Sequence, residues 1–422
     1  MLKTKSFIAL LLVFVLAFGG ASAAFAQTIN KDGAVVSDVP DQSVQAAITK
    51  VLQVPVGTAV PDPMEFNFIV TPKTVDGVAS NGTNMPDLND AAKTVTYPGG
   101  TQGASASGNT TTYSQQTPDI FENVSFPHAG VYVYTIEEEP DTYTGDPTIN
   151  EVVTYSGAVY TLTVFVANKS DGSGTYIQAV GSKITTKDNP GQNEGDKVDP
   201  TPGTTTTASD FSKMVFTNTY VKTNSNPDDP DPANPDDATL TVSKTVDGDA
   251  GDKTLPFTFA MTVNAPEAVY MPGSGTAPSY DAYIMEGTSQ ISGPIAFTSG
   301  VEQSFQLTHG QKLVFVNTPV GTSYATTETG TSNYKPSANI VTADHADGIP
   351  ERDAGDSLAT GLQLVGEPTN SADFTNTYNF VSATGIIMNH LPFISVIALA
   401  IIGLGVYITL SIRKRNRAAA QA

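Results

Sequence analysis

The chain has 422 residues, with 21 Lys and Arg against 42 Asp and Glu, a net charge of −21 and an isoelectric point near 4.3. It has no cysteine and no tryptophan, and its four histidines, at 128, 309, 345 and 390, are far apart in sequence. These counts exclude a disulfide framework, a thiolate zinc site, a cysteine nucleophile and an H-E-x-x-H protease, and so acidic a surface repels a nucleic-acid backbone.

The N-terminus places Lys3 and Lys5 before an apolar run from Phe7 to Phe18 and a small-residue stretch ending Ala24-Phe25-Ala26. That order of charged, apolar and A-x-A segments is a secretory signal peptide over residues 1–26, with a mature start expected at Gln27. The run is also shorter than the roughly 20 residues that span a bilayer.

From residue 27 onward, Thr, Val, Tyr and Phe alternate with polar residues in short runs broken by Gly, Pro, Asn and Asp, the pattern of an all-β chain. A first domain is expected over 27–222 and a second over 238–379. Between them, residues 223–237 carry alternating Pro and Asp, expected as an extended, semi-rigid spacer. Two insertions in the first domain, 77–117 and 185–209, are rich in Gly, Ser, Thr and Asn and are expected as polar loops.

The two domains share four landmarks in one order. The first has Ile48-Thr49-Lys50-Val51-Leu52, Phe66-Asn67-Phe68, Tyr132 to Glu138, and Phe216-Thr217-Asn218-Thr219-Tyr220. The second has Leu240 to Val246, Phe257-Thr258-Phe259, Tyr324 to Glu328, and Phe374-Thr375-Asn376-Thr377-Tyr378. The pentapeptide FTNTY recurs unchanged, and an ordered repeat outweighs any of its parts.

Strand side chains two apart share a face, so Lys50, Glu138 and Asn218 point inward with apolar neighbours, as do Lys244, Glu328 and Asn376. Alternation with Ile136 selects Glu138 over Glu137 and Glu139. Unpaired burial of such groups costs several kcal/mol each. Desolvation favours a neutral amine and a neutral acid. An amine held about 3–3.5 Å from a carboxamide carbon is positioned to attack it, with the acid polarising the amide oxygen and moving protons to the departing ammonia. The expected product is an intramolecular Lys–Asn isopeptide bond in each domain, welding its two sheets together.

On these residues, and on Tyr160-Thr161-Leu162-Thr163-Val164, the chain resembles the streptococcal pilin isopeptide-linkage domains of Gram-positive pilus subunits and surface adhesins. The resemblance covers roughly residues 40–222 and 238–379 and implies two immunoglobulin-like β-sandwiches in tandem. It also implies that Lys50 joins Asn218 with Glu138 assisting, and that Lys244 joins Asn376 with Glu328 assisting.

After the second domain, Val381-Ser382-Ala383-Thr384-Gly385 resembles the LPxTG sorting signal of Gram-positive surface proteins, with the Thr-Gly pair kept and the Leu and Pro replaced. The resemblance places sortase cleavage between Thr384 and Gly385 within a sorting region over 380–390. An uncharged apolar segment over 391–412 is long enough to span a membrane, and Arg413, Lys414, Arg415 and Arg417 in the tail, 413–422, hold the far side in the cytoplasm.

Taken together these features point to a secreted, membrane-tethered and then wall- or pilus-attached structural protein. Its expected partners are a sortase and a wall precursor or other pilin subunits. The alternative is a monomeric adhesin binding a host or matrix ligand. No nucleophile elbow, metal set or phosphate loop is present, so the chain is not expected to be a turnover enzyme or to hold a cofactor. Subunit joining needs an exposed acceptor lysine, and Lys73, Lys183, Lys197 and Lys213 are left as equal candidates.

Overall fold

The computed structural model describes residues 27–419 apart from 30–33, 38, 98–104, 108, 146–149, 190, 204–211, 224–229, 268, 270–274, 343–344, 368–369 and 379–382. The signal peptide expected over 1–26 lies outside the described residues. The described chain is mostly strand, followed by one long C-terminal helix, Ala383–Ala419.

Alternation sets the strands. In Gly130–Glu138, Tyr132, Tyr134, Ile136 and Glu138 are buried while the residues between them are partly exposed. The same two-residue period buries Phe216, Asn218 and Tyr220 in Val215–Thr223, and Leu240, Val242, Lys244 and Val246 in Leu240–Asp247. The opening strand, Thr49–Pro55, departs from it. Thr49 and Val51 are buried as well as Lys50 and Leu52, and strands pair with both of its edges.

Before the Pro/Asp segment, one sheet runs Thr175–Thr186, Val159–Asn168, Gly130–Glu138, Met64–Val75 in lateral order, and a second runs Asn150–Thr154, Val215–Thr223, Thr49–Pro55, Thr110–Gln116. After it, Leu240–Asp247 lies between Gln311–Phe315 and Ser371–Tyr378, and Phe257–Asn264 pairs with Ser323–Glu328 in the facing sheet. Each pair of sheets encloses its own apolar core. The opening and closing strands of each half pair in parallel, whereas the other pairings among the described strands are antiparallel.

That pairing corrects one expectation. Lysine and asparagine lie on neighbouring strands of one sheet, and only the glutamate comes from the facing sheet. A bond between them therefore welds two strands rather than two sheets. Inward alternation shows that a side chain enters the core but not which strand is its neighbour, so sequence reasoning had no purchase on this point.

Two further expectations change. The segment 77–117 is not a loop. Its strand Thr110–Gln116 pairs with the opening strand, and Met85, Leu88, Ala92, Val95 and Tyr97 enter the core. Nor does the described part of the Pro/Asp segment stay extended. The Asp237 carboxylate accepts from the Asp231 N–H and the Asn234 amide, Pro235–Asp237 forms a 3-10 turn, and Ala233 packs against Met285, Val314 and Val316. Asp and Asn side chains satisfy the turn's amides, and proline pre-sets its backbone, so the composition that suggests a spacer also builds a turn.

The two halves touch. Lys222 pairs with Glu367 at 2.7 Å, the Val320 N–H donates to the Lys222 carbonyl, and Glu367 also accepts from the Ala59 N–H. Gly321, at φ +82°, permits this approach, since a Cβ there would lie 2.4 Å from that of Pro55.

Tyr160 ties the first core to its closing strand, donating to the Val215 carbonyl and accepting from the Val215 N–H. Tyr160→Phe leaves that buried N–H unpartnered and is expected to cost about 1–3 kcal/mol. Urea denaturation of parent and variant measures this, and an unchanged midpoint would show that solvent replaces the hydroxyl.

Candidate functional site

The parallel register fixes the spacing between the strands. Lys50 lies opposite Phe216, which puts Asn218 two residues further along the same face. In the second half Lys244 lies opposite Phe374, and Asn376 is again two residues further on. Residues two apart on adjacent strands are within reach of a long side chain. The lysine therefore leans along the sheet toward the asparagine, with the facing sheet closing over both.

In the first half the Lys50 ammonium donates to Glu138 Oε2 at 2.9 Å and lies near the Phe216 carbonyl at 3.4 Å. Asn218 Nδ2 donates to Glu138 Oε1 at 2.7 Å. Glu138 thus bridges amine and carboxamide, one oxygen to each. Glu137 and Glu139 flank it on more exposed positions. The Lys50 and Glu138 side chains are fully excluded from solvent, and the Phe66 ring lies beneath the ammonium with its centroid 4.6 Å away.

The second half assembles the same three residue types. Lys244 donates to Glu328 Oε1 at 2.8 Å, Asn376 Nδ2 donates to the same oxygen at 2.6 Å, and the Phe257 ring underlies the amine with its centroid at 4.2 Å. Here Glu328 Oε2 and Asn376 Oδ1 are buried without a hydrogen-bond partner among the described residues. The first site leaves no such orphan, because the Ser156 N–H donates to Asn218 Oδ1 at 2.8 Å.

Burial drives the titration of both pairs toward neutrality. Desolvation pulls the Lys50 and Lys244 amines down to about 8, against the opposing pull of their glutamates. Desolvation likewise raises the Glu138 and Glu328 carboxyls despite the lysine beside each. Since a dry ion pair repays its desolvation only with very good geometry, transfer of the proton from ammonium to carboxylate costs little. The arrangement sets an amine, a carboxyl and a carboxamide against one another with their side chains excluded from solvent.

Sequence reasoning named all six inward residues, and the structure brings them into two groups of three. It found the phenylalanine landmarks without giving them a role, and Phe66 and Phe257 prove to be the apolar floors under the amines. It missed Ser156, which carries no repeat signal. Thr384 and Gly385 fall near the start of the C-terminal helix, with side chains outside the described residues. That helix begins earlier than the 391–412 span and includes an apolar, exposed stretch, Phe393–Arg415, long enough to cross a membrane. Of the acceptor candidates, Lys213 is engaged by Asp199 and Thr201, whereas Lys73, Lys183 and Lys197 are exposed.

Residues 46–221 match the family described as a Spy0128-like isopeptide containing domain, and residues 238–378 match a domain of unknown function, DUF7601. A pilin of Streptococcus pyogenes serotype M1 is 26% identical over 391 residues, covering 92% of this chain and 94% of that protein. The pilus tip adhesin Cpa of Streptococcus pyogenes is 31% identical over 147 residues, 35% of this chain and 18% of that one. The crystal structure of the major pilin from Streptococcus pyogenes, at 21% identity, aligns over 80% of this chain and all of that one with a TM-score of 0.31. The chain is pilin-like along most of its length. Its first domain is similar to the family described as a Spy0128-like isopeptide containing domain.

The lowered amine gives a pH test. In an Asn218→Ala chain, where Lys50 stays free, the folded amine titrates near 8 and the unfolded one near 10.4. Between those values the unfolded state binds more protons, so stability rises with pH, by about 2–3 kcal/mol in all. Urea titrations of Asn218→Ala and of Lys50→Met/Asn218→Ala at pH 7 and pH 10 measure it. Equal pH dependence in the two would mean that Lys50 titrates as a solvated lysine.

Proposed function

We propose that the chain is a structural pilus subunit of a Gram-positive surface, made of two immunoglobulin-like sandwiches, each closed by a self-formed Lys–Asn isopeptide bond. The observation that carries this reading is the recurrence, in both halves, of a buried lysine, glutamate and asparagine with the same strand offset.

The chemistry balances within each domain. The lysine ammonium gives a proton to the glutamate, and the resulting amine attacks the asparagine Cγ. The carboxamide nitrogen takes the proton from the glutamic acid and leaves as ammonia, and the attacking nitrogen gives its surplus proton to the carboxylate, so that one C–N bond forms as another breaks and the glutamate ends as the acid. No water or cofactor is consumed, and each site reacts once. In the second domain, a proton on Glu328 Oε2 would supply a donor at the site where two acceptors are otherwise unmatched.

A bond from residue 50 to 218, or from 244 to 376, encloses most of its domain, and long closed loops restrict the unfolded chain most. Parallel opening and closing strands have their outer ends at opposite ends of the domain. Tension applied there would pass through the bond, one residue after the opening strand begins, and would spare the rest of the first core. A stalk module resistant to force and proteolysis follows.

For assembly, a sortase would cleave between Thr384 and Gly385 and join Thr384 to a wall precursor or to a lysine of another subunit. The match to a segment of a tip adhesin supports a second reading, a monomeric surface adhesin with a host or matrix ligand. Boiling surface extracts in detergent separates the two readings. A pilus subunit gives a covalent ladder, and an adhesin gives a single band.

Intact mass tests the bonds directly. The protein is expected to be lighter than its sequence by one ammonia per domain. Asn218→Ala and Asn376→Ala should each abolish one loss and reduce stability by about 2–5 kcal/mol, by analogy with removal of a native cross-link. A parent mass equal to that of the unmodified sequence would overturn the reading.

A further inference from the structure

The two sites differ at the carboxamide oxygen, where negative charge develops as the amine attacks. In the second domain Asn376 Oδ1 has no partner among the described residues. In the first, Asn218 Oδ1 faces the Ser156 N–H at 2.8 Å, and the same N–H lies 3.3 Å from Glu138 Oε2. Ser156 sits in the connection between Asn150–Thr154 and Val159–Asn168, outside any strand, so no sheet ladder aims its amide. Asp188 holds it instead. Asp188 Oδ2 accepts from the Ser156 hydroxyl at 2.8 Å and from the Gly157 N–H at 2.9 Å, and the Ser156 hydroxyl in turn lies 3.3 Å from the Ala158 N–H. Asp188 itself is exposed, beyond the end of Thr175–Thr186, so it joins two otherwise separate connections across the mouth of the site.

We infer that the Ser156 N–H is an oxyanion donor for isopeptide formation in the first domain and that Asp188 is the residue that positions it, a device with no counterpart among the described residues of the second domain. This rests on the Lys50–Asn218 reading given above. As Lys50 Nζ adds to Asn218 Cγ, the π electrons of the carbonyl move onto Oδ1, which the Ser156 N–H faces. As the electrons return, the C–Nδ2 bond breaks, Nδ2 leaves as ammonia with the proton held by Glu138, and Nζ gives its surplus proton to the carboxylate so formed. A fixed backbone donor strengthens its bond as that charge builds and needs no reorganisation. Asn218 Nδ2 is bonded to Glu138 Oε1, so the leaving nitrogen and the oxyanion are each held by a different group. In the second domain the carboxyl of Glu328 has to serve both.

The test follows both bonds in one molecule. The full chain is made by cell-free synthesis in detergent micelles, quenched in acid at timed intervals and digested. The peptide joining Lys50 to Asn218 is then quantified against that joining Lys244 to Asn376. Asp188→Ala is expected to slow the first bond by about 10- to 100-fold, less than the roughly 10²–10³ for deleting an oxyanion donor outright, because the N–H remains but is no longer aimed. The second bond should keep its parent rate in the same molecules, which reports that the chain still folds. Asp188→Asn keeps an oxygen able to accept both hydrogen bonds and should restore the first rate without restoring the charge. A first bond formed at parent rate in Asp188→Ala overturns the proposal, as does a failure of Asp188→Asn to rescue, which would assign the effect to charge near Lys50. If the parent chain forms no Lys50–Asn218 bond at all, the underlying reading fails and takes this proposal with it.

Discussion

Each half of this protein is organised around a lysine amine and a glutamic carboxyl held against each other without water. Neither group is solvated in its charged form, and each is lowered or raised by burial in the direction that favours neutrality. Other parts of the core serve that exclusion. A phenylalanine ring lies under each amine, the facing sheet supplies the carboxyl, and the tyrosines of the first half brace the strands around it. Tyr97 donates to the Lys50 backbone carbonyl, and Tyr160 brackets Val215. An isolated buried charge is too costly to persist, so the pair is tolerated only as a unit.

The second constraint is the parallel pairing of first and last strands. A hairpin cannot make such a pair, so the intervening strands have to wrap around to the facing sheet and back before the chain closes on itself. The domain is thereby a closed circuit, with the site at its seam. The proposed covalent bond at that seam would join the first and last strands of its domain. Absence of cysteine is consistent with that arrangement, since the cross-link would be made from amine and amide and would depend on no redox compartment.

The two seams are built to one plan with different finishing. Among the described residues the second half leaves one oxygen of its carboxyl and its carboxamide oxygen unmatched, whereas the first places a backbone amide against its carboxamide oxygen. The donor in the first half comes from a connection rather than from a strand, and an exposed aspartate holds that connection in place. Between the halves, Lys222, Glu367 and the close approach at Gly321 join the end of one closing strand to loops of the next unit.

Alternation and repetition alone determined the strand content, the inward direction of Lys50, Glu138, Asn218, Lys244, Glu328 and Asn376, and the apolar C-terminal segment. These features depend on local chemistry: side chains two apart share a face, and a long uncharged run has a length that can be read directly. Strand partnership was decided only in three dimensions. Inward alternation suggests lysine and asparagine on opposite sheets, whereas register puts them side by side, and Thr110–Gln116 reads as loop because a strand of Thr, Ser and Gln with a single Tyr shows no apolar alternation. Ser156 and Asp188 were invisible for a related reason. Their part in the site comes from a backbone N–H and from a contact between connections 32 positions apart, and neither is encoded by residue type or spacing.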